Sequence, residues 1–145
     1  MQQTLVLLKP DALEMGLVGE IISRLEGRGL KIVAMKIIWV DEALAKRHYA
    51  VHEGKPFFEG LVEFITSRPI IAVVFEGEDA VAVVRNAMGE TDPARAAAGT
   101  IRGDLAQDIA RNLIHGSDSE ETAEEETKLF FSQKEIFNYS VEIDK

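Results

Sequence analysis

The apolar positions of this chain change period several times, and each change marks an element. Residues 4–8 form a short apolar run that ends at Lys9-Pro10-Asp11, which predicts a strand and then a turn. Leu17, Val18, Ile21, Ile22 and Leu25 recur with helical spacing until Gly27 and Gly29 stop the pattern. Residues 32–40 are rich in β-branched side chains and predict a second strand. Asp41 is a candidate cap for a short helix through His48, and residues 51–56 read as loop. Phe58, Leu61, Val62 and Ile65 mark one face of a helix. Pro69 closes it and opens residues 70–75, an unbroken apolar run of the buried-strand kind. Gly77 separates that strand from a helix over 78–88, with Val81, Val84 and Met88 facing inward. Residues 89–103 are small, polar and glycine-punctuated, a loop long enough to suggest function. A short helix is expected over 104–111 and the last core strand over 112–115. Ser117 or Asp118 would cap a final helix to about Lys128, and residues 129–145 have no readable period.

The order is strand, helix, strand, helices, strand, helix, loop, strand, helix, with no internal repeat, linker or low-complexity block. It predicts one domain over residues 1–145, in the α/β (α+β) class. The expected architecture is a ferredoxin-like sandwich, a four-stranded antiparallel sheet covered by helices, with a long loop added. The pattern leaves the strand order open.

Composition narrows the function. At 46% hydrophobic, 145 residues can bury a sizeable core without staples. The absence of cysteine excludes disulfides, thiolate metal sites and a cysteine nucleophile, and fits a reducing, cytoplasmic setting. The start, Met1-Gln2-Gln3-Thr4, has no signal-peptide character, and no apolar run approaches the ~20 residues of a membrane span. A net charge of −9 disfavours nucleic acid and anionic membranes as partners. It leaves room for a small phosphorylated ligand in a pocket where a few cations are focused.

The octet Asn112-Leu113-Ile114-His115-Gly116-Ser117-Asp118-Ser119 sets a histidine between an apolar run and a polar turn. A ring held there is fixed from behind by a strand and open in front. A neutral imidazole is a good nucleophile, although a histidine beside apolar residues is on general grounds more often structural. Gly116 would let the chain turn sharply beside the ring and leave room for a bulky group. Ser117 would bond locally or cap the helix. Glu126, about two turns past the cap, would reach back to the ring, while the other acids of residues 120–126 read as a solvated helix face. Lys9 stands at a strand end, Arg85 near a helix end, and Arg102 within the glycine-punctuated loop. Such cations suit phosphoryl transfer, which relies mainly on positioning and charge stabilisation. Thr91 adds a hydroxyl donor. Neither a GxxxxGK[ST] loop nor a GxGxxG fingerprint is present, so a nucleotide site would be built from side chains. Phe57 lies off the buried stripe at a helix start, where an aromatic can stack on a base or simply pack. Tyr49 and His52 lie nearby, as phosphate donors or as surface packing.

Taken together, these residues resemble nucleoside diphosphate kinase. The octet looks like that family's active-site signature. Residues 4–11, Pro56-Phe57-Phe58, Gly89-Glu90-Thr91-Asp92-Pro93 and Gly99-Thr100-Ile101-Arg102-Gly103-Asp104 match the family pattern in order and spacing, over residues 4 to about 139. The resemblance implies transfer of the γ-phosphoryl of a nucleoside triphosphate to a nucleoside diphosphate, by a ping-pong route through a phosphohistidine. It implies His115 as nucleophile, phosphorylated on Nδ1, with Glu126 and Ser117 holding the ring. Lys9 and Asn112 would contact the sugar, with Lys9 also reaching the transferring phosphate. Tyr49, His52, Arg85, Thr91 and Arg102 would hold the phosphates. Phe57 would stack on the base, with Leu61 and Ile109 lining the slot. Mg²⁺ would be carried in on the phosphates rather than caged by protein, with Asp118 touching its water shell. Family members form tetramers or hexamers built from dimers. Pro93 lies in the loop that packs at subunit contacts in hexamers, and the tail lacks the longer extension common in eukaryotic members; neither decides the assembly.

Two other readings stand beside this one. A non-catalytic ligand-binding module on the same sandwich would leave the octet and the two arginines unexplained. A metal or hydrolytic site from His48, His52 and His115 would need the helix to run through His52, and lacks the carboxylate a zinc protease places between its histidines.

Overall fold

The computed structural model of the chain describes residues 1–140, so the end of the unreadable 129–145 tail, residues 141–145, lies outside the described residues. In chain order the elements are β1 (Gln2–Leu8), α1 (Pro10–Glu14), α2 (Val18–Glu26), β2 (Lys31–Ile38), α3 (Glu42–His48), α4 (Phe58–Thr66), β3 (Ile70–Gly77), α5 (Ala80–Met88), α6 (Ile101–Leu105), β4 (Ile114–Gly116) and α7 (Glu120–Phe130). Short 3₁₀ turns cover Ala50–His52 and Gln133–Glu135. The strands form one sheet in the order β2-β3-β1-β4, and every neighbouring pair is antiparallel. No helix among the described residues is long and apolar enough to cross a membrane.

The unbroken apolar runs of β1 and β3 follow from their central position. Both faces of each strand are covered, so alternation has nothing polar to show. Val6 and Leu8 point into one core with Ile21, Leu25, Val84 and Met88 of α2 and α5. Leu5 and Leu7 point into the other, with Ala45, Val62, Ile65 and Phe130 of α3, α4 and α7. The sheet is thus sandwiched between two helical layers. The wholly buried Leu5, Val6, Leu7 and Leu8 each contribute about 1.5–3 kcal/mol of apolar transfer.

Register delivers the site. Leu7 of β1 pairs with His115 of β4, and the Lys9 amide donates to the Leu113 carbonyl at 2.8 Å, one step beyond the ladder. Lys9 and the octet therefore emerge together at one end of the central strand. Asp41 caps α3 as expected, its carboxylate accepting from Leu44 N–H at 2.8 Å.

Several expectations are corrected. Lys9-Pro10-Asp11 opens a helix rather than a plain turn, because Pro10 sits at the first helical position, where its missing N–H and fixed φ suit a start. Residues 50–52 form a 3₁₀ turn that overlaps the start of the loop expected over 51–56, and the fifth helix starts at Ala80 after Asp79 in the left-handed region. The helix expected over 104–111 lies at Ile101–Leu105. Thr100 starts it early by accepting from Gly103 N–H at 3.0 Å. Asp108 turns the chain afterwards by accepting from the amides of Ala110 and Arg111 at 3.0 and 2.9 Å. Arg102 consequently stands on a helix, not in a loop. The last strand is displaced to Ile114–Gly116, and Ser119, not Ser117 or Asp118, caps α7. Gly116 is the buried last residue of β4. A Cβ there would meet Met88 Sδ at 2.6 Å and Val84 Cγ1 at 2.8 Å, so its missing side chain makes room for α5 rather than for a substrate.

Candidate active site

His115 projects from the middle of β4 with its side chain 26% exposed. Its Nε2 lies 3.0 Å from Glu126 Oε1, brought back by two turns of α7. The same oxygen accepts the Ser117 hydroxyl at 2.6 Å, which is why the fully buried Ser117 is unavailable as a cap. Burial pushes the Glu126 carboxyl up, but the bonds from His115 and Ser117 pull it further down, so it ends below the ordinary carboxylate range. An ionised carboxylate can only accept. In the neutral ring this puts the proton on Nε2 and leaves Nδ1 with its lone pair.

His48 completes the surroundings of the ring. It stands edge-on to His115 with centroids 4.7 Å apart and packs against Phe130 at 5.4 Å. Neither of its nitrogens has a hydrogen-bond partner among the described residues. Burial above all, then the neighbouring His115, lowers its pKa to about 3, so it is neutral under ordinary conditions. Its nearest carboxylate contact, Nδ1 to Glu126 Oε2, is 3.7 Å. Sequence reasoning weighed His48 only as a metal ligand; the available signal was its position one turn after the buried Ala45 on the inner face of α3. The metal grouping is corrected accordingly: His48 and His115 do meet, with Glu126 as third member. His52 is not in it, because α3 ends at His48. His52 turns instead toward Phe57, with centroids 5.2 Å apart.

A cleft of about 350 Å³ opens beside the ring, lined by Tyr49, His52, Arg85, His115, Asp118 and Glu126 among others. Burial and the Glu126 charge push the Tyr49 hydroxyl up to about 12, which keeps it a donor. Arg85, exposed on the last turn of α5, reaches Gly116 O at 3.2 Å.

The second group is buried and bonded together. Lys9 Nζ donates to Asn112 Oδ1 at 2.6 Å, and Asn112 Nδ2 donates to Thr91 O at 3.1 Å. All three Arg102 nitrogens end on main-chain carbonyls: Nη2 on Ile114 at 2.6 Å, Nη1 on Gly89 at 3.2 Å and Nε on Asn112 at 3.3 Å. Burial lowers Lys9 to about 8, with Arg102 lowering it further and Asp11 opposing. Burial and then Arg85 lower Arg102 to about 10. Arg102 is therefore crowded by Lys9 on one side and Arg85 on the other, in a chain that is acidic overall. Such an arrangement is relieved by an anion.

Phe57, Leu61 and Ile109 do not line the 350 Å³ cleft. Phe57 is 50% exposed at the start of α4, with the half-buried Leu61 one turn further on the same face. Ile109 is 60% exposed in the segment after α6. Thr91 is exposed, but its carbonyl ties the loop to Asn112. Sequence reasoning passed over Asp11, a buried acid whose Oδ2 accepts from Leu113 N–H at 3.0 Å. Its only signal was its place in Lys9-Pro10-Asp11.

Comparison with known proteins agrees across the chain. A family model described as nucleoside diphosphate kinase matches residues 2–136. The nucleoside diphosphate kinase of Archaeoglobus fulgidus is 55% identical over 139 residues, covering 96% of this chain and 92% of that protein. One from Listeria monocytogenes is 54% identical over 144 residues, covering 99% and 98%. Among solved structures, a halophilic nucleoside diphosphate kinase from Halobacterium salinarum, in complex with CDP, superposes with a TM-score of 0.94 at 52% identity, covering 96% of this chain and 93% of that one. With a model match over most of its length and relatives above half identity, the chain belongs to the nucleoside diphosphate kinase family, which moves the γ-phosphoryl of a nucleoside triphosphate to a nucleoside diphosphate through a phosphohistidine.

Proposed function

We propose that His115 is the nucleophile of this kinase and that Nδ1 is the attacking atom. The observation that carries this is the 3.0 Å contact between His115 Nε2 and Glu126 Oε1. It fixes the ring, sets the tautomer and leaves Nδ1 without a hydrogen bond among the described residues. In the first half-reaction the Nδ1 lone pair forms a bond to the γ-phosphorus as the bond to the bridging oxygen breaks, and the nucleoside diphosphate leaves with that electron pair. Positive charge developing on the ring is offset by Glu126, itself oriented by Ser117. In the second half-reaction an oxygen of the acceptor diphosphate attacks the phosphorus and the imidazole leaves.

Lys9 and Asn112 are proposed to bind the sugar, with Lys9 reaching the transferring phosphate. Tyr49, His52, Arg85, Thr91 and Arg102 are proposed to hold the phosphates. The repulsion of Arg102 with Lys9 and with Arg85 supports this, since a polyphosphate would relieve it. Phe57 is the proposed base platform, edged by Leu61 and Ile109. Stacking with little edge readout suits broad base acceptance.

The proposed metal is Mg²⁺, carried on the phosphates, where it would screen their charge. The protein groups suit this arrangement. The His48, His115 and Glu126 cluster is two-thirds imidazole, a poor donor set for a hard cation, whereas Asp118 lines the cleft with an oxygen suited to its water shell.

The working form is proposed as a homo-oligomer, a tetramer or hexamer built from dimers. Met35 and Ile37 on the outer strand β2, with Trp39 just past its end, support it, being 54%, 64% and 65% exposed at alternate positions. We read the chain as one kinase domain acting in the cytoplasm, a reading supported by its lack of cysteine.

Incubation with γ-labelled ATP and Mg²⁺, without acceptor, tests the chemistry. The expected result is an acid-labile, alkali-stable label that a nucleoside diphosphate discharges and that H115A abolishes. Label persisting in H115A moves the nucleophile elsewhere.

A further inference from the structure

Two costly features meet immediately before the nucleophile's strand. Leu113, wholly buried, has φ +74°, a region that favours glycine. Ile114 N–H donates to Asn112 O at 2.9 Å, closing a three-residue γ-turn with Leu113 at its centre, in the rarer, strained hand. Beside it lies Asp11, 3% exposed, with Oδ1 unpartnered among the described residues. Burial raises the pKa of this carboxyl, and Lys9 with the backbone amides of Leu113, Asp11 and Ala12 offsets only part of that cost.

One hydrogen bond joins them. Asp11 Oδ2 accepts from Leu113 N–H at 3.0 Å, while Lys9 N–H donates to Leu113 O at 2.8 Å. The first bond fixes the peptide plane before Leu113 and the second fixes the plane after it. The two torsions between are then over-determined, the condition under which a strained conformation persists. Arg102 adds bonds to the carbonyls of Asn112 and Ile114, but among the described residues only Asp11 holds the Leu113 amide. The turn joins two site residues: Asn112 is its first residue, and His115 follows directly after its last, Ile114.

We infer that Asp11 is a positioning residue, whose carboxylate clamps the Leu113 amide and so holds the γ-turn that sets Asn112 and His115 in register with the bound nucleotide. The inference rests on the reading of His115 as nucleophile and adds the device that aims it. Helix α1 has a function on this account: it carries the clamp from the end of β1 to the turn before β4.

Single-turnover phosphorylation by γ-labelled ATP and Mg²⁺, expressed per folded molecule, tests it. D11A is expected to slow labelling about 100-fold, the scale of a misplaced reacting group. D11N keeps an acceptor oxygen and is expected to stay within about 5-fold of wild type. L113G accepts the positive φ without strain, so in the L113G background D11A is expected to cost less than about 5-fold. If L113G does not fold, L113N takes its place, since asparagine visits the left-handed region more readily. The inference is overturned if D11A labels within about 3-fold of wild type, if D11N is as slow as D11A, or if D11A costs about 100-fold in both backgrounds. An unlabelled wild type would instead refute the His115 reading, which distinguishes the two failures.

Discussion

The two edges of the sheet are built on opposite terms. The β4 edge is three residues long and gathers Lys9, Asp11, Arg102 and Asn112, all buried, around a leucine at positive φ. The β2 edge is eight residues long, regular apart from a shift between Ile32 and Ala34, and has Met35 and Ile37 in water, with Trp39 just past its end. One edge buries polar groups and the other exposes apolar ones. Each choice is unfavourable for an isolated chain, and on the proposed function each would be relieved from outside it, by a polyphosphate at β4 and by a second copy at β2. The comparison separates chemistry from assembly, and substitutions at the two edges are expected to behave differently.

The largest effect is expected from R102A. It removes a cation from the site and the donors to the Gly89, Asn112 and Ile114 carbonyls. Labelling should slow by about 10²–10³-fold, and urea unfolding should register a loss of about 3 kcal/mol. A fully stable R102A would contradict the anchoring role. E126Q should slow labelling by about 10–100-fold, because an amide no longer dictates which ring nitrogen carries the proton. Unchanged single-turnover kinetics in E126Q would break the tautomer argument.

Two pH effects follow. Lys9 has a folded pKa of about 8, below its unfolded value of 10.5. Between those values the unfolded chain binds the extra proton, so this lysine's burial penalty, complete below pH 8, is relieved as pH rises to 10.5. Labelling should meanwhile fall as pH rises through about 8 and the site loses a cation. His48, folded pKa about 3 against 6.5 unfolded, contributes the opposite limb. Stability should drop as pH falls from 6.5 toward 3, by at most about 1.4 kcal/mol per pH unit for this one proton. Denaturation curves of H48F should lack that component; an unaltered acid limb would exclude His48 as its source. The smallest effect on chemistry belongs to the other edge. I37E should lower the oligomeric state seen by sedimentation while changing single-turnover labelling by less than about 2-fold, since it touches none of the groups around His115. A tenfold loss there would tie the two edges together.

The same contrast explains what could be read from the residues alone. Central strands, the Asp41 cap and the buried stripe of α4 were legible because each is a local pattern with one physical solution. Lys9, Arg85, Arg102 and the octet were legible as candidate chemistry, but not their partners. Ser117 reads like a cap, and only the return of α7 turns it toward Glu126. Arg102 reads like a free loop cation, and only the position of β4 gives its nitrogens three carbonyls. Asp108 mimics a helix continuation until its carboxylate takes two backbone amides. Leu113 carries no signal for positive φ, because leucine is not chosen for it; the conformation is imposed by Asp11 and Lys9, about a hundred residues away in sequence. Long-range pairings of that kind exist only once β1 and β4 are neighbours.

The central claim is that Glu126 holds Nε2 of His115 and thereby presents Nδ1 to phosphorus. Phosphorus NMR of the protein labelled by ATP and unfolded in alkali distinguishes the two phosphohistidine isomers. The account predicts a single Nδ1-phosphohistidine at residue 115; phosphorus on Nε2, or on any other side chain, would contradict it.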